Sequence, residues 1–139
     1  MSFYGAKLAL FIGDKLAVML RDDKPDIPFP NHWDLPGGGR EGDESPKACA
    51  LRETEEELSI RLEEIDIVWE RSYLHDGHVS WFFAAHLPAS RLTEVALGDE
   101  GQRWELMSAE TYCSHPMAVP NFKTRLQDYL DARSVELWD

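Results

Sequence analysis

Short apolar runs alternate with turn-forming residues in the first part of the chain. The runs at residues 7–12 and 15–20 are joined by Gly13-Asp14, a pattern that predicts a β-hairpin with a tight turn. Residues 22–31 form a polar stretch with three prolines and no periodicity, which predicts a loop. A short strand is expected at residues 33–35, and Pro36 with the glycines at 37–39 predicts a break after it.

The rest of the chain predicts two helices and a second hairpin. Ser45-Pro46 is typical of an N-cap followed by proline at the first helical position, and good helix formers continue to Leu58. Residues 65–73 and 79–87 are rich in β-branched and aromatic residues and flank a turn at 75–78.

A short strand is expected at residues 104–107, after a loop with two glycines. Near the C-terminus, an apolar stripe at offsets of four, seven and eight predicts an amphipathic helix, formed by Phe122, Leu126, Tyr129 and Leu130. Strands and helices thus alternate irregularly, an order that favours an α/β or α+β sandwich in which helices cover a mixed β-sheet.

Length and charge restrict the function. A chain of 139 residues is expected to form a single domain, residues 1–139. Its net charge of −12 would repel nucleic acid polymers and anionic membranes, whereas a small phosphorylated substrate stays compatible because divalent cations invert the local field. We expect a monomer or homodimer.

Cellular location is predicted from two further features. The two cysteines, Cys49 and Cys113, have no metal-like spacing, which favours a reducing compartment. The apolar run at residues 8–12 is too short for the core of a signal peptide, and no segment has the length of a membrane span. A cytoplasmic protein is expected.

The helix that begins near Pro46 carries a concentration of carboxylates. At about 100° per residue, Glu53, Glu56 and Glu57 share one face. Ala48, Leu51 and Leu58 are expected on the opposite, packed face. A run of glutamates usually forms only a solvated surface, and Glu53 to Glu57 taken alone would favour that interpretation.

The spacing around these glutamates is more specific than their charge. Gly38 is followed after five residues by Glu44, and after seven more by Arg52-Glu53, then Glu56-Glu57 and the aliphatic Ile60. Residues 38–60 thereby resemble the Nudix box, the signature of the Nudix hydrolase family.

This resemblance implies a fold and a set of roles. Nudix proteins form an α/β/α sandwich in which the box is a loop, a helix and a loop against a mixed β-sheet. By the same resemblance, Glu56 and Glu57 bind a divalent metal, and Glu53 binds metal or acts as general base. Glu44 and Arg52 brace the loop and orient the catalytic glutamate, and the Gly37-Gly38 backbone supplies a carbonyl ligand.

Mg²⁺ suits such a set of ligands. It prefers oxygen ligands and keeps several waters, so a few carboxylates and substrate phosphates complete its shell, and Mn²⁺ is expected to substitute. The glycines at 37–39 let the main chain approach a ligand closely, and we expect Gly38 and Gly39 to contact substrate; a plain turn is the alternative. Two positions depart from the family pattern, Thr54 where an aliphatic residue is usual and Ser59 where glycine is usual.

Weaker similarity extends outside the box. Trp33 to Gly38 resembles the entry to the box in Nudix enzymes that hydrolyse nucleoside triphosphates, among them the mutator-type 8-oxo-dGTP pyrophosphohydrolases. Glu100 resembles a further metal ligand there, although Asp99 could replace it and a surface loop is the alternative. Asn121 resembles a residue that binds the purine base, but it could also cap the last helix. Trp33 could stack on a base, although a large aromatic in a strand is more often core.

The sequence therefore predicts an Mg²⁺-dependent Nudix hydrolase. The first hypothesis is hydrolysis of a nucleoside triphosphate, including an oxidised purine deoxynucleotide, to the monophosphate and pyrophosphate. The second is a Nudix hydrolase of ADP-ribose, a nucleotide sugar or a dinucleoside polyphosphate. A different class is a non-catalytic nucleotide-binding regulatory module, which would not need Glu53, Glu56 and Glu57 together.

Overall fold

A computed structural model describes the backbone of residues 2–138 and the side chains of residues 2–134. It contains one mixed β-sheet and helices on both of its faces. The strands are β1 Gly5–Ile12, β2 Lys15–Leu20, β3 Trp33–Asp34, β4 Gly37–Gly39, β5 Ile67–His75, β6 His78–Leu87 and β7 Arg103–Met107. The helices are α1 Pro46–Leu58, α2 Ala109–Ser114 and α3 Pro120–Trp138, with 3₁₀ turns at Glu64–Asp66 and Ala89–Glu94.

The centre of the sheet is strand β1, which pairs in parallel with β6 and antiparallel with β2. The main order is β3-β2-β1-β6-β5, and β7 pairs with β2. Residues of β1 alternate between two buried layers. Leu8, Leu10 and Ile12 lie in the layer that contains α1, while Ala9 and Phe11 lie in the layer that contains α3. This confirms the predicted mixed sheet flanked by helices.

Helix α1 begins and ends where the sequence predicts. The Ser45 hydroxyl accepts a hydrogen bond from the Ala48 N–H at 3.1 Å, which caps the first turn. At the other end Ser59 adopts φ 63°, the left-handed conformation that glycine takes at little cost. Its hydroxyl donates to the Ala96 carbonyl at 3.0 Å, and this bond offsets part of the strain.

The packed face of α1 matches the predicted one in part, because Leu58 is buried and Leu51 is half-buried against the core. Its buried residues are Cys49, Ala50, Thr54 and Leu58, and Ala48 is only half-buried. Thr54, the first departure from the family pattern, is fully buried, and its hydroxyl donates to the Ala50 carbonyl at 2.7 Å. A buried hydroxyl is thus satisfied within the helix, so Thr54 packs as an aliphatic residue would.

The glycine segment is a strand, which corrects the predicted break. Gly37, Gly38 and Gly39 form β4 and pair with Lys7, Ala6 and Gly5 of β1. Gly37 has φ 134°, and a Cβ there would lie 2.2 Å from the Ala6 carbonyl oxygen. Glycine is required because the two backbones approach this closely.

The C-terminal part contains one helix that the pattern did not predict. Helix α3 has the expected stripe, since Leu126 and Tyr129 are buried and Phe122 and Leu130 are half-buried. Helix α2, which the sequence pattern missed, has six residues and too few apolar positions to show a period. None of the helices in the described part of the chain has the length and apolar character of a membrane span.

Candidate active site

Arg52 connects most of the predicted catalytic residues. Its Nε and Nη2 donate to the two carboxylate oxygens of Glu44 at 3.0 and 2.9 Å. Its Nη1 donates to Glu53 at 3.3 Å and to Glu56 at 3.1 Å, and Nη2 also donates to the Gly39 carbonyl at 3.1 Å. One guanidinium therefore ties the loop before α1, the glycine strand and two helix carboxylates together.

The two partners of this ion pair stay charged. Hydrogen bonding to Arg52 lowers the pKa of Glu44 to about 2, and the same interaction raises the pKa of Arg52. Glu44 also accepts from the Glu41 N–H at 2.8 Å. The Glu44 carboxylate is thus fixed within the loop and serves Arg52 as an anchor.

Glu57 lies in a different environment on the same helix. One of its carboxylate oxygens accepts from the Gly37 N–H at 2.7 Å, so the side chain touches the glycine strand. Burial raises the pKa of Glu57 to about 7, although Lys7 and the Gly37 bond oppose this. Because the negative charge of this buried carboxylate is only partly offset by the protein, binding of a cation beside it is favourable.

Glu53 packs directly against Gly38. A Cβ on Gly38 would lie 2.7 to 2.9 Å from the three carboxyl atoms of Glu53, so only glycine leaves room for this carboxylate. Burial also raises the pKa of Glu53, against the opposing charge of Arg52. The glycine strand therefore forms one wall of a space into which Glu53 and Glu57 project.

That space is a cavity of about 630 Å³ with a strongly acidic lining, called here the acidic cavity. Asp99 and Glu100 also line it, and their loop is held against the end of α1 because the Gly98 N–H donates to the Glu57 carbonyl at 2.8 Å. A Cβ on Gly98 would lie 2.2 Å from the Glu56 carbonyl, so glycine permits this contact. The carboxylates lining the cavity are Asp34, Glu41, Glu53, Glu56, Glu57, Asp99 and Glu100.

A cationic network supports the base of the glycine strand. Lys7 donates to Asp34 at 3.1 Å, to the Leu35 carbonyl at 3.1 Å and to the Gly37 carbonyl at 2.9 Å. Asp34 is 3% exposed and also pairs with Arg21 at 2.9 Å. Lys7 thus occupies the Gly37 carbonyl, whereas the Gly38 carbonyl accepts a weak hydrogen bond from the Cys49 thiol at 3.5 Å, so Gly38 is the better candidate for a carbonyl ligand to a metal.

A second cavity, of about 410 Å³, lies beside the first and is called here the lateral cavity. The two cavities share Lys7, Gly38 and Gly39. The lateral cavity lies between the β5–β6 hairpin tip and the start of α3, where Gly5 of β1 lies opposite Ser80 of β6. Its lining includes the aromatic rings of Tyr4, His75, His78, Trp81 and Phe122.

Most of the predicted site residues meet at these cavities. Glu53, Glu56, Glu57, Glu100 and the three glycines line the acidic cavity, and Asn121 lines the lateral one. Glu56 is exposed, with 57% of its side chain accessible, and it is held by Arg52. Among the described residues, no three His, Cys, Asp or Glu side chains converge as a ready-made ligand set.

The structure does not bring Trp33 to the site. Its side chain is 7% exposed and packs in the layer between the sheet and α3, and it lines neither cavity. Its backbone carbonyl accepts from the Tyr112 hydroxyl at 3.0 Å, which suits a residue of the core. The Trp33 side chain is therefore out of reach of a ligand in either cavity, contrary to the prediction.

Sequence patterns missed three cations at the site. Lys7 and Arg21 flank Asp34, and Arg125 lines the lateral cavity from α3. A signal existed for Arg125, because it falls within the apolar stripe of the last helix, where a charged residue is unusual. Lys7 likewise interrupts the apolar pattern of β1.

The site combines three features: a mixed sheet, a helix with carboxylates on one face, and a glycine strand beside that face. Together they resemble the site of a pyrophosphohydrolase. The model of the NUDIX domain matches residues 5–129. The chain belongs to the Nudix family, whose pyrophosphohydrolases act on nucleotide substrates. No curated protein sequence matches this one significantly.

Solved structures of Nudix proteins share the fold. A MutT protein from Methanosarcina mazei Go1 is 20% identical, with a TM-score of 0.74 over 93% of each chain. An Ap4A hydrolase from C. elegans is 18% identical, with a TM-score of 0.72 over 94% of this chain and 98% of that one. A bifunctional NMN adenylyltransferase/ADP ribose pyrophosphatase from Francisella tularensis, complexed with AMP and a Mn ion, is 22% identical, with a TM-score of 0.61 over 78% of this chain and 34% of that one.

Nudix hydrolases generally use a divalent metal, and the residues present fit one. Glu53 and Glu57 are carboxylates whose pKa values are raised by burial, so a cation would offset their unfavourable charge. All candidate ligands are oxygen atoms, as Mg²⁺ prefers. Because Mg²⁺ keeps several waters, two carboxylates and one carbonyl suffice without a preformed set of three.

Proposed function

We propose that this Nudix enzyme hydrolyses a nucleoside triphosphate to the monophosphate and pyrophosphate. The observation that carries the proposal is the junction of the two cavities at Gly38 and Gly39. A nucleoside in the lateral cavity would extend its phosphates past this junction into the acidic cavity. The net charge of −12 makes a divalent cation the expected companion of such a substrate.

The residues at the site have distinct roles in the proposed reaction. When bound, Mg²⁺ polarises a phosphoryl oxygen, lowers the pKa of a bound water and stabilises the leaving phosphate. Glu57, Glu53 and the Gly38 carbonyl would hold the ion, with Glu56 and Glu100 as further ligands. Where Glu53 does not bind the ion, it is the candidate general base, because burial raises its pKa toward neutral pH.

A second candidate function has specific support. A smaller cavity of about 230 Å³ adjoins the acidic cavity and shares Arg21, Asp34, Glu57 and Glu100 with it. It could hold the second half of a two-headed substrate. Two of the structural relatives are named for Ap4A and ADP-ribose, which are substrates of this shape.

A substrate panel separates these candidates. We expect Mg²⁺-dependent release of monophosphate and pyrophosphate from nucleoside triphosphates, with slower cleavage of Ap4A, ADP-ribose and nucleotide sugars. Products are separated by anion-exchange chromatography, with EDTA as the metal-free control. Cleavage of the two-headed substrates without turnover of any triphosphate would replace the first candidate by the second.

Arg52 offers a test of the bracing network. Arg52→Lys keeps the charge but loses the planar fork that reaches Glu44, Glu53 and Glu56 at once. Loss of an orienting partner typically costs tenfold to a hundredfold, so we expect kcat to fall by about that factor with little change in KM. Steady-state kinetics measure this.

Arg91→Lys is the matched control, because Arg91 also pairs with a carboxylate, Glu94, but lies outside the three cavities described above. We expect it to keep full activity. Equal kcat in Arg52→Lys and wild type would show that Arg52 orients no catalytic group.

A further inference from the structure

Arg125 is a buried cation that has no hydrogen-bond acceptor among the described residues. The residue is only 8% exposed, on the face of α3 that packs against the sheet. Its guanidinium lies 4.7 Å from the centre of the Tyr73 ring. Within the described part of the chain it makes no hydrogen bond or ion pair. The nearby carboxylate, Asp128, has other partners, because it accepts from the Tyr73 hydroxyl at 2.7 Å and pairs with Arg71.

Most of the Arg125 side chain is removed from solvent, so its guanidinium depends on the lateral cavity for acceptors, from water or from a ligand. Desolvation lowers the pKa of Arg125, yet an arginine stays charged in a protein. A guanidinium offers five N–H donors and no acceptor, and here the Tyr73 ring covers one face of its plane. Because Arg125 lines the lateral cavity, its free donors are available to a molecule bound there.

The lining of the lateral cavity favours a flat heterocycle over a phosphate. Tyr4, His78 and Phe122 supply rings on which a base can stack. A phosphate requires several donors, but the second cation of this cavity, Lys7, already donates to Asp34 and two carbonyls. The free donors of Arg125 therefore suit a ligand whose acceptors lie on one edge of a ring.

We infer that Arg125 determines base specificity and selects purines with an oxygen at position 6, guanine and hypoxanthine, over adenine. The inference rests on the proposed function, with the base in the lateral cavity. Arginine donates in a bidentate manner to the adjacent O6 and N7 acceptors of a 6-oxopurine, whereas adenine presents an amino donor beside N7. Asn121, one turn earlier on α3, has an amide that donates and accepts, so it does not discriminate between them.

Inosine and adenosine nucleotides make the sharpest pair of substrates, because their bases differ in the group at position 6 and the proton on N1. A good bidentate contact discriminates by about tenfold to a hundredfold, so we expect wild type to favour ITP over ATP in kcat/KM by that factor. Arg125→Met, which keeps the length of the side chain, should lower kcat/KM for ITP to near that for ATP. The value for ATP should stay within about threefold of wild type.

Two further variants exclude simpler explanations. Arg125→Lys keeps the charge without the fork, and it should also lose the preference. Arg133→Met changes the same residue type on the same helix but outside the lateral cavity, and it should keep the preference. Thermal melting shows that each variant is folded.

A binding measurement separates this inference from the proposed function. IMP should bind wild type more tightly than AMP by calorimetry, and Arg125→Met should abolish the difference even if no triphosphate is cleaved. Absence of triphosphate turnover would count against the proposed function alone. Three results would overturn the role of Arg125. They are equal kcat/KM for ITP and ATP in wild type, an equal fall of both kcat/KM values in Arg125→Met, and equal binding of IMP and AMP by wild type.

Discussion

Glu57→Gln is expected to lower kcat by more than a hundredfold and to stabilise the metal-free protein at about pH 8. Loss of an indirect partner of a metal ligand costs tenfold to a hundredfold, so loss of a ligand charge should cost more. The amide oxygen of glutamine still accepts from the Gly37 N–H, which keeps the local structure. Steady-state kinetics and thermal melting in EDTA measure the two effects.

The pH dependence of stability follows from the raised pKa of Glu57. Its pKa is about 7 in the folded state against an ordinary value of 4.5, so the folded protein binds this proton more tightly than the unfolded chain does. The free energy of unfolding therefore falls as pH rises from about 4.5 through 7, by about 3 kcal/mol at about 1.4 kcal/mol per pKa unit. Below about pH 4.5 Glu57 is protonated in both states, and glutamine should then change stability little.

Mg²⁺ should restore to wild type the free energy of unfolding that is lost as the pH rises, and it should not do so for Glu57→Gln. A cation bound to ionised Glu57 stabilises the folded state by mass action, and Glu57→Gln weakens that binding. Glu55→Gln is the matched control, because Glu55 is an exposed neighbour on α1 that lines neither the acidic nor the lateral cavity. Lower metal-free stability of Glu57→Gln at about pH 8, together with wild-type turnover, would contradict the assignment of Glu57.

Helix α1 shows why part of the site was predictable from sequence. Its start follows from local chemistry, the Ser45 hydroxyl and Pro46, and its carboxylate face follows from helical geometry. Of the predicted packed face, Leu58 is buried, whereas Ala48 and Leu51 are only half-buried and Ala50 and Thr54 are buried in addition. Sequence alone does not show how a helix is rotated about its axis against a sheet. Thr54 is an example, because it is a polar residue that is nevertheless buried, with its hydroxyl bonded inside the helix.

Contacts between distant segments could not be predicted. The pairing of the glycine segment with β1 depends on long-range geometry, and turn propensity alone favoured a break. The same geometry brings Lys7 to the Gly37 carbonyl across thirty positions of the chain. For Trp33 the long-range geometry removes a predicted contact. Its motif suggested contact with substrate, but the pairing of β3 with β2 places the Trp33 side chain in the core.

Gly38→Ala is expected to lower kcat by about a hundredfold with only a small loss of stability. The new Cβ would lie 2.7 to 2.9 Å from the carboxyl atoms of Glu53, so that carboxylate must move. The group that moves is the end of a flexible side chain, which is why the fold should tolerate the change. A displacement of about 1 Å in a catalytic group costs about a hundredfold in rate.

The comparison for this variant is Gly39→Ala, whose Cβ meets no atom within 4 Å and which should lose far less activity. Combining Gly38→Ala with Glu53→Asp adds a sharper test, because the shorter carboxylate leaves room for the new methyl group. If the two residues act through this contact, the double variant should lose less activity than the product of the single losses. Independent losses in this cycle, measured as kcat, would show that Gly38 does not act by making room for Glu53.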